Sequence, residues 1–100
     1  MVIRMSKLSF LLVELKRLNV IGSADDMSTA TIIYQDESCL LLRYISIKSD
    51  VRVWAIVRRT SKQYFKVVTL LQTFIESTHT VKSFRNYRLT ADYLKKFIRR

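Results

Sequence analysis

The spacing of apolar positions changes twice along the chain, and each change marks a different kind of element. Between Ser6 and Leu18, the residues Leu8, Leu11, Leu12, Leu15 and Leu18 recur with a helical period, while Lys7, Glu14, Lys16 and Arg17 fall elsewhere on the cylinder. Ser6 is placed to cap that helix, because its hydroxyl can accept an orphan N–H of the first turn. Phe10 and Val13 widen the apolar stripe, which predicts a helix lying on a sheet with little of it exposed. Asn19–Ser28, with Gly22 and the Asp25–Asp26 pair, reads as a connecting loop.

From Thr29 the pattern becomes that of strands. Thr29–Gln35 is rich in β-branched residues, Asp36–Ser38 supplies a polar turn, and Cys39–Ile47 follows as a second strand closed by Lys48–Asp50. Val51–Arg58 alternates, with Val51, Val53, Ala55 and Val57 on one face and Arg52, Trp54, Ile56 and Arg58 on the other. Arg59–Gln63 has the length of a hairpin connection, and Tyr64–Leu71 returns, extending as far as Ile75 at most. Glu76–Arg88 shows no convincing period and reads as loop or a short extension. Thr90–Arg100 is helical again, with Thr90 as cap, Asp92 in the first turn, and Tyr93, Leu94, Phe97 and Ile98 as its apolar stripe. The fold class expected is α+β: an N-terminal helix, a four-stranded antiparallel meander and a C-terminal helix. Its parts are a helix at 6–18, a sheet at 29–75, and a basic loop and helix at 76–100.

A chain of 100 residues with 49% hydrophobic and 26% charged side chains suits one globular domain, and with no proline and one glycine nothing marks a linker. The apolar run Phe10–Val13, preceded by Arg4 and Lys7, is broken by Glu14 after four residues. That is far short of the roughly 18 residues of a spanning helix. The reading is therefore neither a secreted nor a membrane protein. Cys39 is the only cysteine, which excludes an internal disulfide and fits a reducing cytoplasm.

Charge sharpens the picture once it is divided along the chain. The net +10 resides entirely in residues 51–100, where twelve basic residues face only Glu76 and Asp92; residues 1–50 balance six against six. Such a field attracts and steers polyanions, although a charge run is often no more than a solvated surface. Lys82, Arg85 and Arg88, with Lys95, Lys96 and Arg99 on the last helix, could track a phosphate backbone. The same amphipathic helix could lie on an anionic membrane, but docking its apolar stripe on the sheet satisfies both faces and is preferred.

Several chemistries drop out. One histidine and one cysteine cannot build a zinc site, and a single glycine excludes a P-loop or dinucleotide fingerprint. No cofactor is expected. Metal-free cleavage of RNA through its own 2′-hydroxyl stays open, since Lys, Arg, Tyr, Thr and His can supply the base, the cation and the proton donor. The strands carry such residues: Arg43 and Tyr44, then Arg52, Trp54 and Arg58, with Arg59 just after, then Tyr64, Lys66 and Thr69.

One helix, a loop, then LLLRY, VRVWAIVRR and YFKVVTL resembles the barnase–EndoU–colicin–RelE-like nuclease superfamily, in particular small RelE-type toxins and phage-encoded relatives. The resemblance covers residues 6–75 as an order of elements. It implies an antiparallel sheet packed by helices and a metal-independent ribonuclease. On this chain it implies Arg43 and Arg58 as phosphate ligands, Lys66 as phosphate contact or acid/base group, Thr69 as orienting residue and His79 as an additional acid or base. No histidine precedes the sheet, and the basic segment after Ile75 has no counterpart in the pattern. Each residue also has a plainer explanation. A lone surface histidine is common, Thr69 is a good β-former, Trp54 and the tyrosines can cover a sheet, and Cys39 can be a small buried hydrophobe. Lys66 has the strongest claim, because a charge within YFKVVTL must meet water or an anion.

The expected function is a basic RNA-binding protein, with RelE-like ribonuclease activity as its enzymatic form. The alternative is a non-catalytic viral or mobile-element module that binds nucleic acid or an acidic host protein. A homodimer joined along an exposed strand is a third arrangement.

Overall fold

The computed structural model of the chain describes residues 7–22, 29–46, 50–60 and 64–98. Helix α1 spans Lys7–Arg17, strands β1 Thr31–Gln35, β2 Cys39–Ser46, β3 Val51–Arg59, β4 Phe65–Gln72 and β5 Ser77–Phe84 follow, and helix α2 spans Tyr87–Ile98. The strands form one five-stranded antiparallel sheet in meander order, β1-β2-β3-β4-β5. The α+β class with a helix at each end agrees with the sequence reading; the fifth strand does not. It lies in Glu76–Arg88, which shows no apolar period because both sides of β5 are largely exposed. Its pairing is fixed by a tight turn instead: the Thr73 N–H donates to the Glu76 carbonyl at 2.8 Å, and Thr73 Oγ1 accepts the Glu76 N–H at 3.1 Å.

Strand alternation places every second side chain against the helices. Leu40 and Leu42 of β2, Val53, Ala55 and Val57 of β3, and Phe65 and Val67 of β4 are buried in one cluster with Leu8, Leu11 and Leu15 of α1 and Ala91, Leu94, Phe97 and Ile98 of α2. Each large aliphatic or aromatic side chain so buried contributes about 1.5–3 kcal/mol relative to exposure. Thr69 belongs to this inward row, fully buried, and its Oγ1 has no hydrogen-bond partner among the described residues.

Both helices depart from expectation in detail. The proposed cap Ser6 lies outside the described residues. Phe10 and Val13 are exposed at 42% and 57%, so the buried stripe of α1 is narrower than its apolar composition suggests. Phe10 turns toward the neighbouring helix instead of the sheet, its ring stacking on Tyr87 of α2 with centroids 5.8 Å apart. α1 ends where Asn19 takes a left-handed conformation (φ 57°), with the Asn19 N–H donating to Lys16 O and the Val20 N–H to Leu15 O. α2 begins at Tyr87 rather than at Thr90. Asn86 is the cap, its Oδ1 accepting the Leu89 N–H at 2.9 Å, while buried Thr90 lies inside the helix and donates its hydroxyl back to Asn86 O. Among the described residues no helix is long and apolar enough to cross a membrane.

Candidate nucleic-acid interface

The residues not turned toward the helices form an open face, and the strand registers order them into rows. Arg43, Trp54, Leu70 and His79 are cross-strand neighbours. Beside them run Tyr34, Leu41, Ile56, Val68 and Val81. Cys39, Arg58, Lys66 and Ser83 bound the face at one end, and Ile45, Arg52, Gln72 and Ser77 at the other. The floor is therefore apolar, with Leu41, Trp54, Ile56, Val68 and Leu70 half-buried by one another, while no described helix or strand lies over it. Cations stand at Arg43, Arg52, Arg58 and Lys66, and no acidic residue occupies any of these outward strand positions.

Two local arrangements matter for binding an anion. The Arg43 guanidinium lies 5.7 Å from the centroid of the Trp54 ring, a cation–π contact that holds both groups at the middle of the face. Arg58 and Lys66 stand directly opposite one another on β3 and β4, both exposed. Like charges paired across strands repel, so a phosphate between them would relieve that repulsion. Beside Arg58 is a recess of about 460 Å³ lined by Tyr34, Asp36, Ser38, Cys39, Arg58 and Arg59. Its one carboxylate is already occupied: Asp36 accepts hydrogen bonds from the Tyr34 hydroxyl and from the Ser38 and Cys39 N–H groups at 2.7–2.8 Å. These bonds, the Tyr34 one foremost, hold the Asp36 carboxyl below its ordinary range.

The other cations singled out in the sequence lie elsewhere. Arg59 and Lys82 are on the helix side of the sheet, opposite Phe65 and Val67 respectively, and the Lys82 ammonium sits 5.5 Å from the Tyr93 ring centroid. Arg85 is in the β5–α2 turn; Arg88, Lys95 and Lys96 are on α2, with the Arg88 guanidinium 5.7 Å from the Tyr87 ring centroid. Arg99 lies outside the described residues. Apart from Arg59, which ends β3 and lines the recess beside Arg58, these cations make two groups, one on the open face and one around β5 and α2, with the sheet between them.

The trio Lys66, Thr69 and His79 is not brought together. Lys66 and His79 share the open face, but His79 pairs with Leu70 and stands four residues along the sheet from Lys66, about 13 Å by strand rise. Thr69 points the other way, into the core. Cys39 is half-buried on the open face rather than within the core. Among the described residues no three His, Cys, Asp or Glu side chains are grouped to hold a metal ion. Sequence reasoning misses the floor residues Leu41, Val68 and Leu70 as part of a site. A signal for them exists: Trp54 and Ile56 make the outward side of β3 as apolar in its middle as the inward side. No protein-family profile matches the chain, and neither a curated protein nor a solved structure matches it.

Proposed function

We propose that the protein is a binding module that holds single-stranded nucleic acid, RNA first, on the open face of its sheet. The observation that carries this reading is a face with an apolar floor around Trp54, cations at Arg43, Arg52, Arg58 and Lys66, and no acid at any outward strand position. Bases would lie on Trp54 and its aliphatic neighbours, and phosphates would sit at the Arg58–Lys66 pair and at Arg52. Stacking on such a platform tolerates sequence, because every base offers a π-face. The ribonuclease of the RelE-like kind is the enzymatic form of this proposal. It would require Lys66, Thr69 and His79 to serve one phosphate, and their placement favours binding without cleavage.

A second reading, an acidic protein partner with an apolar centre, is favoured by one feature: much of the floor is aliphatic (Leu41, Ile56, Val68, Val81) rather than aromatic. Titrating labelled single-stranded RNA over a range of salt, with chelator present, separates these. Two phosphates held in this way, one at the Arg58–Lys66 pair and one at Arg52, predict a log–log slope of about −1.4 for a single strand. No affinity for RNA at low salt would remove the nucleic-acid reading and leave the protein partner, and metal-independent cleavage abolished by Lys66→Ala would restore the enzyme.

A further inference from the structure

The two edges of the sheet are unequal. β1 has five residues and its register slips between Ile32 and Tyr34, a bulge of the kind that blunts an edge against pairing. β5 has eight residues in unbroken register with β4 and no proline. Among the described residues nothing pairs with its outer side.

The hydrogen-bond phase of β5 follows from its turn. Thr73 and Glu76 form a hydrogen-bonded pair, and bonded and non-bonded pairs alternate in an antiparallel ladder. Thr78, Thr80, Lys82 and Phe84 therefore bond to β4, whereas Ser77, His79, Val81 and Ser83 direct their N–H and C=O groups outward. The hairpin joining β3 to β4 gives the same phase, since the Thr60 N–H donates to Tyr64 O and places the bonds of Lys66, Val68 and Leu70 toward β3.

The four open positions are symmetric about Thr80. We propose that β5 pairs antiparallel with β5 of a second copy about a two-fold axis at Thr80, making one continuous ten-stranded sheet. In this register Ser77 meets Ser83 and His79 meets Val81, each as a hydrogen-bonded pair, so every open N–H and C=O from Ser77 to Ser83 is satisfied. Lys82 faces Thr78 of the other copy, and no two like charges stand opposite. Glu76, the residue before the strand, falls opposite Phe84 of the other copy, so the strand's one neighbouring acid meets no carboxylate. These self-complementary features favour a second copy over an unrelated strand. Face-to-face association of the open faces would oppose cation to cation instead.

Two variants and the wild-type protein test this by sedimentation velocity across the micromolar range. Wild type is expected to dimerise. Val81→Pro removes an outward N–H without touching the ladder to β4, which an edge strand tolerates, and is expected to weaken the dimer at least about tenfold with an unchanged circular dichroism spectrum. In a Cys39→Ser background, Thr80→Cys brings two thiols together at a non-bonded pair whose Cα atoms lie about 4.5 Å apart, within disulfide reach, and is expected to cross-link in air. Thr78→Cys, about 13 Å from its own copy along the strands, is expected not to. A monomeric wild type, a Val81→Pro protein that dimerises as wild type does, or equal cross-linking at Thr78 and Thr80 would each overturn the proposal.

Discussion

The two faces of the sheet are made from alternate residues of the same strands, yet they serve different ends. On β2, Leu40 and Leu42 are sealed beneath the helices while Leu41 and Arg43 look out; on β3, Val53, Ala55 and Val57 are sealed while Trp54 and Ile56 look out. Both faces are apolar at their centre. What differs is the cover: the inner row packs against two helices, whereas the outer row stays open with Arg43 at its middle and Arg52, Arg58 and Lys66 toward its ends. Hydrophobicity alone therefore does not distinguish core from interface in this chain; the packing of the two helices does.

Adjacent leucines give the sharpest way to break the comparison. Leu42→Ala is expected to cost about 2–5 kcal/mol, because it empties space between sheet and helices, whereas Leu41→Ala on the open face should cost less than about 1 kcal/mol. Urea unfolding of both variants measures the difference, and equal losses would mean that the open face is also covered in solution. Binding should respond in the opposite sense. Trp54→Ala is expected to weaken binding of single-stranded RNA by about 1–3 kcal/mol, roughly five- to 150-fold, measured by fluorescence anisotropy.

A smaller effect is expected at Thr69. Its buried hydroxyl lacks a partner among the described residues, so Thr69→Val should leave stability unchanged or raise it by up to about 1 kcal/mol. If Thr69 acts on substrate, the same change would abolish cleavage while sparing the fold. The smallest effect concerns pH. The Asp36 carboxyl is held low by the Tyr34 hydroxyl and by the Ser38 and Cys39 N–H groups. Its contribution is therefore complete above the ordinary carboxylate range and is lost as pH falls through the lowered value. Amide exchange at Ser38 and Cys39 should accelerate under those acidic conditions, and Asp36→Asn should flatten the pH dependence.

Much of the fold is legible in the order of residues alone. β3 announces itself by alternation, and the inner row Val53, Ala55, Val57 lies where its period puts it. β5 is hidden because STHTVKSF has little apolar content to alternate; its pairing is set by the Thr73–Glu76 turn and by hydrogen bonds that leave no hydrophobic period. The start of α2 is misplaced by the sequence because Thr90 is a capping type of residue ahead of an apolar stripe, whereas the helix begins a turn earlier with Asn86 accepting the Leu89 N–H. For the site, parity is the decisive signal. Lys66 and Thr69 are three residues apart on one strand, which places them on opposite faces whatever the fold around them. The separation of Lys66 from His79 cannot be read in the same way, because it depends on the register of a strand that the periodicity does not reveal.

The most direct test of the open face as the binding surface is an amide and indole chemical-shift titration of the labelled protein with a short single-stranded RNA. The expected result is perturbation of the Trp54 indole and of Leu41, Arg43, Ile56, Arg58, Lys66 and Val68. Perturbation confined to the β5–α2 turn and α2, with Trp54 unmoved, would contradict it.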